Sequence, residues 1–285
     1  MRYQKFKADY LFTGNDLLDN KKILITDEQG EIIEILAEKE AGENVQVYKG
    51  IISPGFINAH CHLELSHLKN KVPEKTGLVD FVFTIVSQRH AREEEILQEI
   101  SNAETEMITN GIIAVGDICN NALTIPQKIK RNLYYYNFIE TSGWLPEMAS
   151  CRFEKSMEVW QRFEDNKLKA SVVAHAPYSV SENLWEKMNK SFSGKTISIH
   201  NQESPDEDIF FKEGKGEFVK MFEKMKIDNS FYKPKKKGSV MNYFKHLSTA
   251  RSVILVHNTF TKQEDITYIN QQKKSNQFIS FCLCP

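Results

Sequence analysis

Pro54-Gly55-Phe56-Ile57-Asn58-Ala59-His60-Cys61-His62 opens on a Pro-Gly turn signal, passes through an apolar run and ends on histidines in alternate positions. Successive residues of a β-strand point to opposite faces, so a strand here aims both imidazoles at one point. Imidazole is a ligand for zinc, iron, nickel and copper. Two histidines at a strand end can equally be satisfied by ordinary hydrogen bonds, and His-x-His alone leaves both readings open.

Three more apolar segments end the same way: Ser171-Val-Val-Ala-His175, Ile197-Ser-Ile-His200 and Ile254-Leu-Val-His257. They belong to a series of candidate strands at 51–62, 111–118, 133–140, 169–174, 196–200, 252–256 and 278–282. Helical stretches separate them. The clearest, 89–109, places Ile96, Ile100, Ala103, Met107 and Ile108 on one face; others fall at 157–163, 182–190 and 216–226. Strands alternating with helices imply parallel pairing, and seven at this spacing suggest a (β/α) barrel. Strand C-termini of such a barrel converge on the active-site face. Five of the eight histidines, His60, His62, His175, His200 and His257, then share one rim, which packing alone does not explain. His67, His90 and His246 fall in loops or on helices and read as ordinary. Glu203, three residues after His200, is placed to take a proton from water and deliver it to a leaving group; the plainer alternative is a surface acid at a helix start.

The first fifty residues read differently. Segments 22–26, 31–36 and 45–48 are short apolar runs broken by turns, the pattern of a small antiparallel β unit, with Asp27-Glu28-Gln29-Gly30 as a hairpin turn. The expected division is therefore 1–50 and 51–285. The connection 201–251 is long and carries Lys233-Pro-Lys-Lys-Lys-Gly238, read as a solvated loop.

The 285 residues hold 37 Lys+Arg and 38 Asp+Glu, a net charge of −1, which excludes a protein held on nucleic acid by bulk charge. Hydrophobic residues at 41% can fill a sizeable core and exclude a charged disordered chain. No run reaches the roughly 18 apolar residues of a membrane span. Met1-Arg2-Tyr3-Gln4-Lys5 leads into no apolar stretch, so no secretory leader is expected. The five cysteines, Cys61, Cys119, Cys151, Cys282 and Cys284, are odd in number and scattered, which points to a reducing cytoplasm; Cys282 and Cys284 read as small apolar residues inside the barrel. The helix-borne His-Glu-x-x-His zinc site and the Pro-Cys-x-x-Cys signature of polynucleotide deaminases do not occur.

Pro54-Gly-Phe-Ile-Asn-Ala-His-Cys-His-Leu-Glu64 resembles the first-strand signature of the amidohydrolase superfamily, within it the metal-dependent aminohydrolases and chlorohydrolases that act on heterocycles. His175-Ala-Pro-Tyr-Ser-Val180 resembles their fourth-strand motif, His200-Asn-Gln-Glu203 their fifth, Val256-His257-Asn-Thr259 their sixth and Phe281-Cys-Leu-Cys-Pro285 their seventh. The resemblance implies that His60, His62 and His200 bind one divalent metal, that Glu203 shuttles protons, that His257 orients the attacking hydroxide and that His175 helps hold the substrate. Members with two metals carry a carboxylated Lys at the end of strand four; the corresponding Ala170–His175 has none, so one ion is expected, Zn or alternatively Fe. The family's remaining ligand, an Asp on strand eight, has no counterpart in this sequence. The fold expected is thus an incomplete (β/α)8 TIM barrel, strands one to seven, with an N-terminal portion of a composite β-sandwich. The chain reads as a truncated gene product or part of a longer enzyme.

The expected activity is hydrolytic deamination of a purine-, pyrimidine- or nucleoside-like heterocycle by a metal-activated water. The alternatives are hydrolysis of a cyclic amide or another C–N or C–Cl bond at the same metal, and an inactive remnant that only binds metal. The partner expected is a small-molecule substrate, with self-association into a homo-oligomer allowed and neither nucleic acid nor a membrane involved. Glu64, Ser66, His67, Gln88, Arg89 and Arg152 are candidate substrate contacts, each of which also reads as a surface or structural residue.

Overall fold

The computed structural model describes residues 3–284, so Pro285, the last residue of the seventh-strand motif, lies outside the described residues. The chain divides into two compact units, Met1–Phe56 and Ile57–Pro285.

The first unit carries β1 (Gln4–Lys7), β2 (Tyr10–Phe12), β3 (Leu17–Asp19), β4 (Lys22–Thr26), β5 (Ile32–Ala37), β6 (Gln46–Val47) and β7 (Ile51–Ile52). They form two sheets in the orders β5-β4-β1-β6 and β3-β2-β7. The hairpin at Asp27–Gly30 forms: the Asp27 carboxylate accepts from the Gln29 and Glu31 backbone N–H groups at 2.9 and 2.8 Å, and Gly30 supplies φ +83°. The unit is not purely antiparallel, since β6 pairs with β1 and β7 with β2 in parallel. The polar strand Gln4-Lys5-Phe6-Lys7 is too short to show a period in sequence.

In the second unit the described residues hold β8 (Phe56–Cys61), β9 (Ile112–Cys119), β10 (Tyr134–Thr141), β11 (Ala170–Ala174), β12 (Thr196–Asn201), β13 (Ser252–His257) and β14 (Phe278–Cys282), the last with the bounds the sequence predicts. The expected single strand at 51–62 is broken by Ser53-Pro54-Gly55 into β7 and β8, because proline removes a ladder donor. Sheets β8-β9-β10-β11 and β12-β13-β14 follow chain order, and every ladder recorded between these strands is parallel. Between β11 and β12 the His200 N–H donates to the His175 carbonyl at 3.0 Å and Ser171 Oγ donates to the Thr196 carbonyl at 2.7 Å. A Cβ on Gly116 would lie 2.6 Å from the Ala59 carbonyl oxygen, so glycine is what lets β9 approach β8 beside His60.

The helices are α1 (Leu78–Gln88), α2 (Glu93–Thr109), α3 (Ile125–Lys128), α4 (Ala149–Asp165), α5 (Glu182–Asn189), α6 (Pro205–Glu213), α7 (Glu217–Lys224), α8 (Ser239–Tyr243) and α9 (Gln263–Gln272). The pattern at 89–109 overruns α2 at its N-terminus: Arg92 is extended and the helix starts on Glu93-Glu94-Glu95, three carboxylates matched to the positive end of the helix dipole. Ile96 and Ile100 are buried as expected, but Ile108 is 44% exposed. The strands pack on these helices through Ile118, Phe138, Val172, Val173, Ile197, Ile199, Val253 and Leu255. Lys233 and Lys235–Lys237 are exposed in a loop, as expected. Cys282 is only half-buried and Cys284 exposed, against the expectation of interior residues. No described helix is long and apolar enough to cross a membrane.

Candidate active site

The five strand-end histidines come to one place. His60 lies in β8 and His62 directly after it; their ring centroids are 4.9 Å apart. The His60 centroid is 4.8 Å from that of His200 and 5.5 Å from that of His257. The His175 centroid is 4.9 Å from that of His200. Each ring reaches the cluster because its strand runs parallel to its neighbours and ends level with them.

Hydrogen bonds fix which nitrogen faces inward for two of these rings, His200 and His175. His200 Nδ1 donates to the His175 carbonyl at 2.8 Å, since a carbonyl only accepts, and this leaves the Nε2 lone pair toward the cluster. Ser179 Oγ donates to the Ala176 carbonyl at 2.9 Å, so His175 Nδ1–H donates to Ser179 Oγ at 2.8 Å and Nε2 is again the free acceptor. Burial first, then the neighbouring histidines, pushes the His60 imidazole down to about 2, His200 to about 3 and His175 to about 4. These rings are neutral at pH 7 and present lone pairs.

His60, His62 and His200 each place one ligand atom within 4.8 Å of the others. His62 Nε2 and His200 Nε2 are 3.3 Å apart, the separation that two nitrogens about 2.0–2.1 Å from one tetrahedral zinc would have, roughly 3.3–3.4 Å. The buried Nδ1 atoms of His60 and His62 have no hydrogen-bond partner. Three imidazoles at ligand spacing, with His60 and His200 held neutral by burial, fit a divalent cation. Glu140, His175 and His200 form a second group of this kind, but the His200 nitrogen recorded beside Glu140, at 3.6 Å, is Nδ1, which the His175 carbonyl already engages.

Glu203 Oε1 lies 3.6 Å from His257 Nε2. Burial pushes the Glu203 carboxyl up to about 7 and lowers the His257 imidazole. Both side chains stand on strand-end turns in the left-handed region: Gln202 has φ 45°, His257 73° and Asn258 60°. Such backbone persists in non-glycine residues only where surroundings over-determine it. Here Gln202 Nε2 donates to Asp265 Oδ2 at 2.9 Å, Asn201 Nδ2 to Asn258 Oδ1 at 3.0 Å, Tyr243 OH to Asn201 Oδ1 at 2.6 Å and Thr261 Oγ1 to Gln202 Oε1 at 2.6 Å. Beneath them Glu207 accepts from the Gln202 N–H at 3.1 Å and from the Ser239 hydroxyl. Burial pushes the Glu207 carboxyl up to about 8.

That shift has a sign. A carboxyl whose pKa rises on folding stabilises the fold fully below its ordinary value of 4.5 and loses that contribution as pH rises toward 8. Glu207→Gln is therefore expected to flatten the fall in thermal midpoint between about pH 5 and 8. A midpoint profile parallel to that of the unaltered chain would contradict this account of Glu207.

A cleft of about 590 Å³ opens beside Glu203, between loop 72–77, Leu78 and Phe81 on one side and Ser204 and Pro205 on the other. Of the residues noted as substrate contacts, Glu64 is buried (2% exposed) and accepts from the Asn120 and Asn121 N–H groups at 3.0 and 3.2 Å, a structural position. His67 is also buried, with Nε2 3.2 Å from the Arg89 carbonyl. Glu140 and Asp117 were not singled out in sequence. Glu140 stands one residue before the end of β10 and Asp117 two residues before the end of β9, close to the level of the histidines.

A sequence model of the Amidohydrolase family matches residues 51–285. An adenosine deaminase from Helicobacter pylori is 28% identical over 238 residues, 81% of this chain and 56% of its own length. An aminodeoxyfutalosine deaminase from a Nitratiruptor species is 27% identical over 231 residues, 77% of this chain and 54% of its own. The chain thus spans a little over half the length of these curated relatives. Among solved structures, Helicobacter pylori aminofutalosine deaminase superposes with a TM-score of 0.74 at 24% identity, covering 99% of this chain and 69% of that one. Guanine deaminase from C. acetobutylicum superposes with a TM-score of 0.65 at 16% identity, covering 99% and 68%. At these identities the superpositions carry the fold, mixed α/β with parallel sheets.

Proposed function

The chain belongs to the amidohydrolase family, and on that premise we propose that its histidine cluster is the centre of a metal-dependent hydrolase that deaminates a nucleoside-like heterocycle. The observation that carries this is the convergence of His60, His62 and His200 with a Glu203–His257 pair 3.6 Å apart. The relatives named as deaminases support the C–N bond as the one broken and an adenosine-like ring as the substrate class. The same membership supports residues 51–285 as strands one to seven of an eight-stranded (β/α) barrel, with residues 1–50 as part of a composite β-sandwich.

His60, His62 and His200 would hold one divalent cation, zinc on this reading, with iron the alternative. When bound, that ion supplies Lewis acidity and lowers the pKa of water toward neutrality. Glu203, with its carboxyl near 7, takes a proton as the water oxygen adds to the sp² ring carbon. It then gives the proton to the exocyclic nitrogen, the C–N bond breaks and ammonia leaves. His257, neutral beside Glu203, accepts a hydrogen bond from the attacking oxygen and fixes its line of approach. His175, with Nδ1 tied to Ser179, turns Nε2 to the substrate. The cleft beside Glu203 is of the size that admits a nucleoside. Five free cysteines support a reducing compartment such as the cytoplasm.

The test is ammonia release from adenosine-like nucleosides, purines and pyrimidines by the zinc-loaded chain. Release from at least one nucleoside, abolished by chelation and restored by zinc, is expected. Ammonia release that survives chelation removes the metal from the reaction, and hydrolysis confined to cyclic amides or ring halides replaces the deaminase reading.

A further inference from the structure

Glu140 stands in the wall of the histidine cluster with no part in the chemistry above. It is near the end of β10, and its side chain is only 7% exposed. Its Oε2 accepts from Asn120 Nδ2 at 3.0 Å. Its Oε1 is buried without any hydrogen-bond partner and lies 3.6 Å from His200 Nδ1.

Asn120 is itself held. Its backbone N–H donates to Glu64 Oε2 at 3.0 Å, and Arg89 Nη2 lies 3.4 Å from Glu64 Oε1. Glu64 follows His62 by two residues, and the intervening Leu63 N–H donates to Asp117 Oδ1 at 2.8 Å. A continuous line of contacts therefore runs from the segment bearing His62, through Glu64, Asn120 and Glu140, to the rear of the His200 ring.

A buried carboxylate oxygen with no donor is costly unless positive charge faces it. The neutral His200 ring offers little, since its Nδ1 proton points to the His175 carbonyl. A cation on the opposite nitrogen would polarise that ring and make its Nδ1 side positive. Carboxylates placed behind a ligand histidine act in this way to orient the ring and raise its basicity.

We propose that Glu140 is a positioning residue of the metal centre, the counter-charge to His200 in the metal-loaded protein, pinned in place by Asn120 and, through it, by Glu64. The inference rests on the reading of His60, His62 and His200 as metal ligands and adds a carboxylate that contacts neither cation nor substrate.

Zinc affinity of the 285-residue chain, measured by competition with a chromophoric chelator, tests it alongside thermal midpoints of the metal-free forms. Glu140→Gln keeps the shape and removes the charge; zinc binding should weaken about 10–100-fold, with a metal-free midpoint no lower than that of the unaltered chain. Asn120→Ala should weaken zinc in the same direction by a smaller factor, and it serves as the test if Glu140→Gln does not fold. Glu140→Gln binding zinc within about twofold of the unaltered chain, while His62→Ala has lost it, overturns this inference and leaves the metal site standing. Weakening matched by an equal fall in metal-free stability overturns it in favour of a merely structural role. An unaltered chain without zinc affinity overturns the metal site and this inference together.

Discussion

Glu203→Gln is expected to lower turnover about 10²- to 10⁴-fold, the range general acid–base groups contribute, while the protein keeps its metal. The argument starts from burial. Desolvation raises the Glu203 carboxyl to about 7, so at neutral pH it is present in both forms and can accept a proton and return it within one cycle. Glutamine preserves the size of the side chain and its distance to His257 but cannot carry the proton. The metal should stay because the proposed ligands are His60, His62 and His200, and Glu203 is not among them. The required starting form is the carboxylate, so kcat/KM of the unaltered enzyme should rise with pH through about 7. Metal content by elemental analysis and single-turnover rates together decide the matter. A variant that retains most of its rate takes the proton shuttle away from Glu203, and one that also loses metal shows that the side chain helps build the centre.

The second large effect concerns stability. Lys128 and Asp117 are an ion pair with both side chains fully buried. Lys128 Nζ also lies 3.3 Å from Cys119 Sγ and 5.1 Å from the centroids of the Tyr135 and Phe163 rings. The Asp117 carboxylate needs that ammonium, since its other oxygen has the Leu63 N–H. Lys128→Met keeps the apolar stem and strands the carboxylate, and removing one partner of a buried pair costs about 3–5 kcal/mol. Urea unfolding monitored by circular dichroism should show a loss of that size, with zinc affinity falling as well because Leu63 adjoins His62. Asp117→Asn combined with Lys128→Met should recover much of the loss, since no charge is then left unpaired. A single-variant loss below about 1 kcal/mol would mean that solvent reaches the site and screens the pair.

The parallel strands of the second unit were legible because each is an apolar run with a sharp end, and the histidines because imidazole at the end of such a run stands out. Glu140 and Asp117 lie near the ends of β10 and β9, yet a carboxylate there reads as a solvated acid; the partners that enclose them, Asn120 for Glu140 and Lys128 with the Leu63 N–H for Asp117, come from elsewhere in the chain. Helix α1 is hidden in the sequence because Leu78-Val-Asp-Phe-Val-Phe-Thr-Ile-Val is rich in β-branched and aromatic residues and resembles a strand locally. Its start is set by Gly77 at φ +79°, a conformation that does not show in sequence. The left-handed turns at Gln202 and at His257–Asn258 were equally invisible, since the partners that enforce them, Tyr243 and Asp265, come from distant helices.

Those turns carry an evolutionary consequence. Asn201, Gln202, Asn258, Thr261 and Asp265 satisfy one another so fully that changing any one strands a donor or acceptor in the others. Descendants of this chain can therefore alter these five positions in concert far more readily than singly. The frame under Glu203 and His257 is thus expected to be inherited as a block, whereas the exposed Phe81 of the cleft is expected to vary singly.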